Sequence, residues 1–441
     1  MTVEEFARLW RTRAISAIEA TEACLARIAA DDRRLNAFIL VMGDEARRQA
    51  QQADRELAAG EYRGPLHGVP VSVKDLFDIA GTVTTAGSHV RDGQIAATDA
   101  AVVARLRQAG AVIVGKTNLH EFAMGPTNED SAFGPTLNPF DTTRLSGGSS
   151  GGSAVSVATG MALASIGTDT GGSIRIPAAA CGVVGLKPSY EEISLEGSVP
   201  LSPTLDHAGP LASTVADAWL LFHALRGHMP ARSLEASHVA GRRFAVPRPY
   251  FLDLLDDDVR AAFERSIVAL RQAGAVVDDT EIPLAPYIAP IYTHIVFGDA
   301  AAYHAATLDA MPERYTEPVR LRLEMARYVL AEDYVRALRG RQALRRQVNA
   351  ALSGYDALML PTIPIPAPTV GSVSVTLGET KDSVRNLMLR LTQLFNITGH
   401  PAISLPNGST PAGLPCGLQL VGTAMQTDPL LHLARAVEAT L

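Results

Sequence analysis

"GGSSGGSAVSVATGMALASIGTDTGGSIRIPA", residues 147–178, is the stretch whose reading decides the fold. Alternating Gly and Ser are common in flexible linkers. The flanks are not linker-like: "NPFDTTRL" precedes the stretch, and an Ala-rich segment of little charge follows. A phosphate cradle would use Gly-rich backbone N–H groups. A Walker loop, however, needs Lys then Ser or Thr after its last Gly, and Gly152 is followed by Ser153 and Ala154. A nucleophile elbow needs G-x-S-x-G, which Gly147–Gly151 satisfies, and a buried strand before it, which "NPFDTTRLS" does not supply. A Ser-His-Asp triad would also need a later His; His400 in "NITGHPAISLP" reads more simply as part of a loop entering a strand. The small side chains of 151–190 instead predict close backbone packing at the centre of the fold.

The flanking sequence has the alternation of an α/β protein. Val69, Val71 and Val73 alternate with Pro70, Ser72 and Lys74, which predicts a strand. "AAVVARLRQAG" runs into the apolar "AVIVG" at 111–115, and "DVRAAFERSIVALRQAGAVVDD" repeats that pattern at 258–279. Helix, tight Gly turn and β-branched strand form the unit of an α/β sheet. Thr2 with Glu5 and Ser16 with Glu19 have capping-box spacing, and 44–59 reads as a helix stopped at Gly60. A long Arg-rich helix is expected over 316–352, broken by "MLPTIPIPAP"; a further helix over 381–396; strand, loop and strand in "ISLPNGSTPAGLPCGLQLVG"; and a last helix over 427–439.

Bulk properties narrow the function. The chain has 441 residues, 47% hydrophobic and 19% charged, with a net charge of −7. A mildly acidic chain without a basic block is a poor nucleic-acid binder. Three scattered cysteines, Cys24, Cys181 and Cys416, fit free thiols in a reducing compartment. "MTVEEFARLWRTR" has no signal-peptide core, and no apolar run is long enough for a membrane helix, so a cytoplasmic protein is expected. No metal or other cofactor is expected, because the histidines form no H-E-x-x-H or comparable pair.

Over its full length, the 147–178 stretch resembles the amidase signature. Two glycines and two serines lead into a small-residue helix, then "GTDTGGS", Ile174, Arg175 and Pro177. The resemblance extends across the chain. "RGPLHGVPVSVKDLFDIAGTVTTAGS" at 63–88 is similar to the family's lysine segment, and "VGKTNLHEFAMGPTNEDSAFGPTLNP" at 114–139 to its substrate-pocket strand and loop. "LDHAGPLA" and "LFNITGHPAISLP" match later landmarks. The fold it implies is α/β, with a large central mixed sheet covered by helices on both faces. It implies one amidase domain over 1–441: helices at about 1–60, a catalytic core at about 61–210 and a variable region at about 240–330. The loop near 227–240 is the best candidate for a weak boundary.

The resemblance also implies a Ser–Ser–Lys triad of Lys74, Ser149 and Ser173. Ser149 would follow a cis peptide bond and relay protons, and Ser173 would be the nucleophile. A serine needs a base within hydrogen-bond reach, and a lysine can be that base only when neutral, which burial favours. Thr170, Gly171, Gly172 and Ser173 are expected to supply an oxyanion hole from their backbone N–H groups. Met124 and Gly125 are expected to line the substrate pocket. Taken alone, Lys74 reads as a solvated lysine beside Asp75, Ser150 and Ser153 as loop hydrogen-bonders, and Cys181 as core. Asp169 and Arg175 read as a buried salt bridge holding the Ser173 turn.

One departure bears on specificity. Where the family usually has Gly-Arg after Pro188, this chain has Ser189-Tyr190-Glu191-Glu192. The expected substrate is therefore a small, neutral amide or anilide, or a carbamate (urethane), with esters as a side activity. Neither a nucleic acid nor a membrane is expected as partner, and a homodimer is compatible with the sequence. The alternatives are the first component of a tRNA-dependent amidotransferase, its amidase chain, which would need a partner protein, and a non-catalytic binding relative. "AEDYVRALRGRQALRRQVNAAL" resembles the stand-alone amidases more than that component.

Overall fold

A computed structural model describes residues 1–230, 234–235 and 237–441; part of the 227–240 boundary candidate therefore lies outside the described residues. The strands are β1 (Phe38–Val41), β2 (Pro70–Lys74), β3 (Val112–Thr117), β4 (Ala164–Asp169), β5 (Val184–Lys187), β6 (His207–Ala212), β7 (Arg243–Pro247), β8 (Val276–Thr280), β9 (Ala357–Pro361), β10 (Ser374–Leu377), β11 (Thr380–Ser383), β12 (Ala402–Ser409) and β13 (Pro415–Val421). Eleven of them form one sheet, in the order β1-β3-β2-β4-β6-β5-β12-β13-β9-β7-β8, while β10 and β11 form a separate hairpin. The sheet is mixed. β2 is parallel to β3 and β4, β7 is parallel to β8 and β9, and the strands between run antiparallel. Every residue of β2 through β6 is buried. Because successive side chains point to opposite faces, this stretch of sheet is covered on both.

The helices follow their sequence signals closely at the N-terminus. Thr2 caps α1 (Val3–Arg11) by accepting from the Glu5 N–H, and Ser16 forms the full capping box of α2 (Ala17–Leu35) with Glu19. α3 (Gly43–Ala58) stops just before Gly60, whose φ is +88°. α4 (Ala101–Gln108) leads into β3. The central α5 (Gly151–Ala158) and α6 (Arg175–Cys181) flank β4, and α7 (Val215–Leu225) follows β6. α8 (Asp257–Gln272) leads into β8 as α4 does into β3, and a long α9 (Ile288–Ala310) comes next. The three cysteines are free and buried. Among the described residues, no helix is long and apolar enough to cross a membrane.

Three sequence expectations need correction. The helix expected over 316–352 is two, α10 (Glu317–Ala326) and α11 (Ala331–Leu352). Glu332 and Asp333 open the second, where acidic side chains favour a helix N-terminus. The helix expected over 381–396 begins as β11 and continues as two short helices, α12 (Val384–Leu389) and α13 (Gln393–Thr398). The break delivers Thr392, whose hydroxyl donates to Gly171 O at 2.6 Å. "MLPTIPIPAP" does not interrupt structure from its start, because Met359–Pro361 belong to β9 and only the later prolines leave the sheet. The closing helix, α14 (Thr427–Glu438), lies as expected.

Candidate active site

The strand alternation that buries Val71 and Val73 on one face of β2 puts Ser72 and Lys74 on the other. Ser72 Oγ is within 2.8 Å of both Ser156 Oγ on α5 and Ser165 Oγ on β4. Lys74 ends the strand and is fully buried. Its Nζ donates to Ser149 Oγ (2.8 Å), Ser150 Oγ (2.9 Å) and Thr168 Oγ1 (2.7 Å). Among the described residues no carboxylate pairs with it. The adjacent Asp75 is taken by Lys116, 2.6 Å away. Burial therefore pulls the Lys74 amine down to about 7, against the raising influence of the Asp169 and Asp206 charges. It lies among hydroxyl groups, not in solvent.

Ser149 and Ser150 immediately precede α5, and the Gly148–Ser149 peptide is cis. The Ser150 N–H donates to the main-chain oxygen of Ser173 at 3.1 Å, which ties this loop to the turn after β4. In that turn, none of the backbone N–H groups of Thr170, Gly171, Gly172 and Ser173 donates to a protein acceptor among the described residues. Four consecutive unspent donors beside a serine are the raw material of an anion-binding hole. Ser173 is 4% exposed, and its hydroxyl also has no protein partner among the described residues.

The turn is held from three sides. Asp169 accepts from the Ile174 N–H at 3.1 Å and forms a fully buried pair with Arg175 at 2.9 Å. Burial works to raise the Asp169 carboxyl, but the Arg175 charge and hydrogen bonds, with the Lys187 charge, hold it well below the usual carboxylate range. Arg175 also donates to Gln419, Asn396 and the Thr392 carbonyl, all within 3.0 Å. Asp206 accepts from Thr170 Oγ1 at 2.5 Å and from the Leu201 and Ser202 N–H groups; burial raises its carboxyl to about 6. Gly172 has φ +136°, and a Cβ there would lie 2.2 Å from Thr392 Oγ1. At Gly171 a Cβ would meet the Tyr292 hydroxyl at 2.4 Å. Both positions therefore require glycine.

Ser173 opens on a cavity of about 10 Å³, the room of roughly one water. Met124 and Gly125 line it, together with Tyr292, Leu389 and Arg385. The substituted segment does not. Glu191 is exposed, and Glu192 accepts from the Ser189 N–H and the Thr427 hydroxyl. Sequence reasoning missed Ser150 and Thr168 as Lys74 partners, although both lie inside the 147–178 stretch. It also missed Asp206, Tyr292, Thr392 and Arg385, which are remote in sequence and carry no local signal.

The arrangement is that of a hydrolytic serine site set at the ends of parallel strands. Comparison with known proteins agrees. The model of the Amidase family matches residues 19–431. The glutamyl-tRNA(Gln) amidotransferase of Anaeromyxobacter sp. (strain K) has an amidase-type chain, its first component, that is 41% identical, over 97% of this chain and 94% of that protein. An amidase of Pseudomonas putida is 40% identical, over 94% and 90% respectively. A crystal structure of an amidase superposes with a TM-score of 0.95 at 40% identity, covering all of both chains. The chain belongs to the amidase signature family, enzymes that hydrolyse amide C–N bonds.

Proposed function

We propose that the chain is a stand-alone serine amidase in which Ser173 is the nucleophile, Ser149 the proton relay and Lys74 the base. The observation that carries this reading is the fully buried Lys74 amine, 2.8 Å from Ser149 Oγ and without a carboxylate partner. Ser173 Oγ attacks the carbonyl carbon while its proton passes to Ser149, whose own proton passes to Lys74. The relay requires the two serine hydroxyls to reach hydrogen-bond distance in the substrate complex. The oxyanion is met by the backbone N–H groups of the 170–173 turn. Such a donor is worth about 2.7–4 kcal/mol to the transition state. As the C–N bond breaks, the proton returns through Ser149 to the leaving amine. Water, deprotonated by the same relay, then cleaves the Ser173 ester, so that amide and water become acid and amine. Amides, anilides and carbamates present the same carbonyl, and esters are the expected side activity.

The second reading, an amidotransferase component that works only with a partner, is favoured by the similarity to the Anaeromyxobacter chain. The third is a binding relative without catalysis. One set of measurements separates them. The purified chain alone should release aniline from an anilide, and a fluorophosphonate probe should label Ser173. Ser173→Ala should lose both, with turnover falling by roughly 10⁴ or more. Turnover only on adding a partner protein supports the amidotransferase component; absence of labelling and turnover supports the binding relative. Near-wild-type turnover by Ser173→Ala refutes the proposed nucleophile.

A further inference from the structure

Arg385 is the one charged side chain lining the Ser173 cavity among the described residues, and no protein group balances its charge. It projects from α12 among apolar neighbours, including Met124, Leu201, Val296 and Leu389. Its one hydrogen bond is from Nη1 to the Met124 carbonyl, at 3.0 Å. The nearby carboxylates are committed elsewhere. Asp130 lies 3.2 Å from Arg322 and 3.3 Å from His120, and Asp382 accepts from Asn386 at 2.9 Å. Two guanidinium groups, Arg322 and Arg385, thus face one carboxylate, Asp130. His120 adds no compensating charge, since burial favours its neutral form.

The buried Arg175 gives the contrast. It spends its guanidinium on Asp169, Asn396, Gln419 and the Thr392 carbonyl. Arg390, on the turn after α12, stacks on Tyr250 at 3.8 Å and donates to that residue's carbonyl. Arg385 has neither arrangement. A cation in apolar surroundings is costly unless it is paired, and a guanidinium fork matches a carboxylate. The Tyr292 hydroxyl, lining the same cavity, is likewise without a protein partner among the described residues.

We propose that Arg385 is a specificity-determining residue that pairs with a carboxylate of the substrate, so that the preferred substrate is an anionic amide. The proposal rests on Ser173 being the attacking residue, because Arg385 is placed by sharing that residue's cavity. It replaces the neutral substrate expected from the loss of Arg after Pro188. That segment does not line the cavity, whereas Arg385, from a distant part of the chain, does.

The test compares three anilides: butyranilide as the neutral reference, N-phenylsuccinamate with the carboxylate on the acyl side, and 4-butyramidobenzoate with it on the amine side. One anionic substrate should exceed butyranilide in kcat/KM by about ten- to a hundredfold, the worth of a hydrogen bond to a charged group. Which one does so identifies the side that Arg385 reads. Arg385→Met should bring the ratio close to one, and Arg385→Lys should restore part of it. As a readout free of turnover, succinate should slow fluorophosphonate labelling of Ser173 in the wild type more than butyramide does. Arg385→Met should lose that protection. Labelling without anionic preference or succinate protection overturns the role of Arg385 and leaves the serine hydrolase intact. Failure of labelling in the wild type instead overturns the hydrolase reading, and the anion proposal with it. A preference that survives in Arg385→Met overturns the role of Arg385. The wild-type ratio and the Lys variant keep the test open even where the Met variant does not fold.

Discussion

Lys74 is held by three hydroxyls and no carboxylate, and this sets its protonation behaviour. A base held near 7 by burial is mostly neutral above that pH and mostly charged below it. In the proposed mechanism only the neutral amine accepts the Ser149 proton. The kcat/KM profile should therefore rise through a limb near pH 7 and level off above it. Lys74→Ala should lower the rate by at least about a hundredfold and remove the limb, the scale of lost general-base catalysis. A stopped pH series on an activated ester, where the leaving group needs no proton, checks this directly; an unchanged limb in Lys74→Ala would exclude Lys74 as its source. At this scale the sequence was informative about Lys74, Ser149 and Ser173, because they sit in long matched stretches. It was silent about Arg385 and Tyr292, which only their position around Ser173 marks out.

The turn after β4 shows how elements combine to shape a site. Asp169 closes β4, Arg175 opens α6, and their buried pair fixes the two ends of the turn. The break between α12 and α13 then brings Thr392 against Gly171 and Gly172. Substituting Gly172→Ala would put a Cβ 2.2 Å from Thr392 Oγ1 at φ +136°. The expected cost is about 1–3 kcal/mol of backbone strain plus the displaced contact. Tm should fall by several degrees, and fluorophosphonate labelling of Ser173 should slow more than at a control site such as Gly371, where a Cβ meets nothing within 4 Å. Equal effects at the two positions would count against a shaped turn. The helix over 381–396 reads as continuous in sequence because its residues suit a helix. It is interrupted because Thr392 and its carbonyl are used by the turn and by Arg175.

At the scale of the molecule, one sheet joins strands from residue 38 to residue 421, and β5 finds its partner β12 across nearly half the chain. We propose that the whole chain is a single folding unit; calorimetry should then give one cooperative transition, and two separated transitions would divide it. The core also holds two buried amines, Lys74 and Lys187, whose folded-state affinities for protons are lowered mainly by burial. In that case the unfolded chain binds more protons between the folded and unfolded values, so stability rises with pH across that window. Each such group contributes about 1.4 kcal/mol per pH unit where the difference is complete. Tm should therefore climb from pH 7 to about 8.5, before ionisation of the unfolded cysteines opposes it. Lys187 donates only to the Pro188 carbonyl, so Lys187→Met should raise Tm at pH 7 and flatten the climb. A Tm that falls over this range would contradict the buried-amine account.

The sequence alone determined the α/β class, the N-terminal caps, the strand that carries Lys74 and the spacing of the two serine loops. These are encoded by local patterns of period two and 3.6 and by runs of glycine and serine that tolerate little substitution. Tertiary structure alone decided that Ser150 and Thr168 share the lysine, that Thr392 interrupts a helix to reach the turn, and that Arg385 faces the Ser173 cavity without a carboxylate. Such relations link residues far apart in the chain, and whether a charge is paired depends on what surrounds it after folding, which no local pattern records.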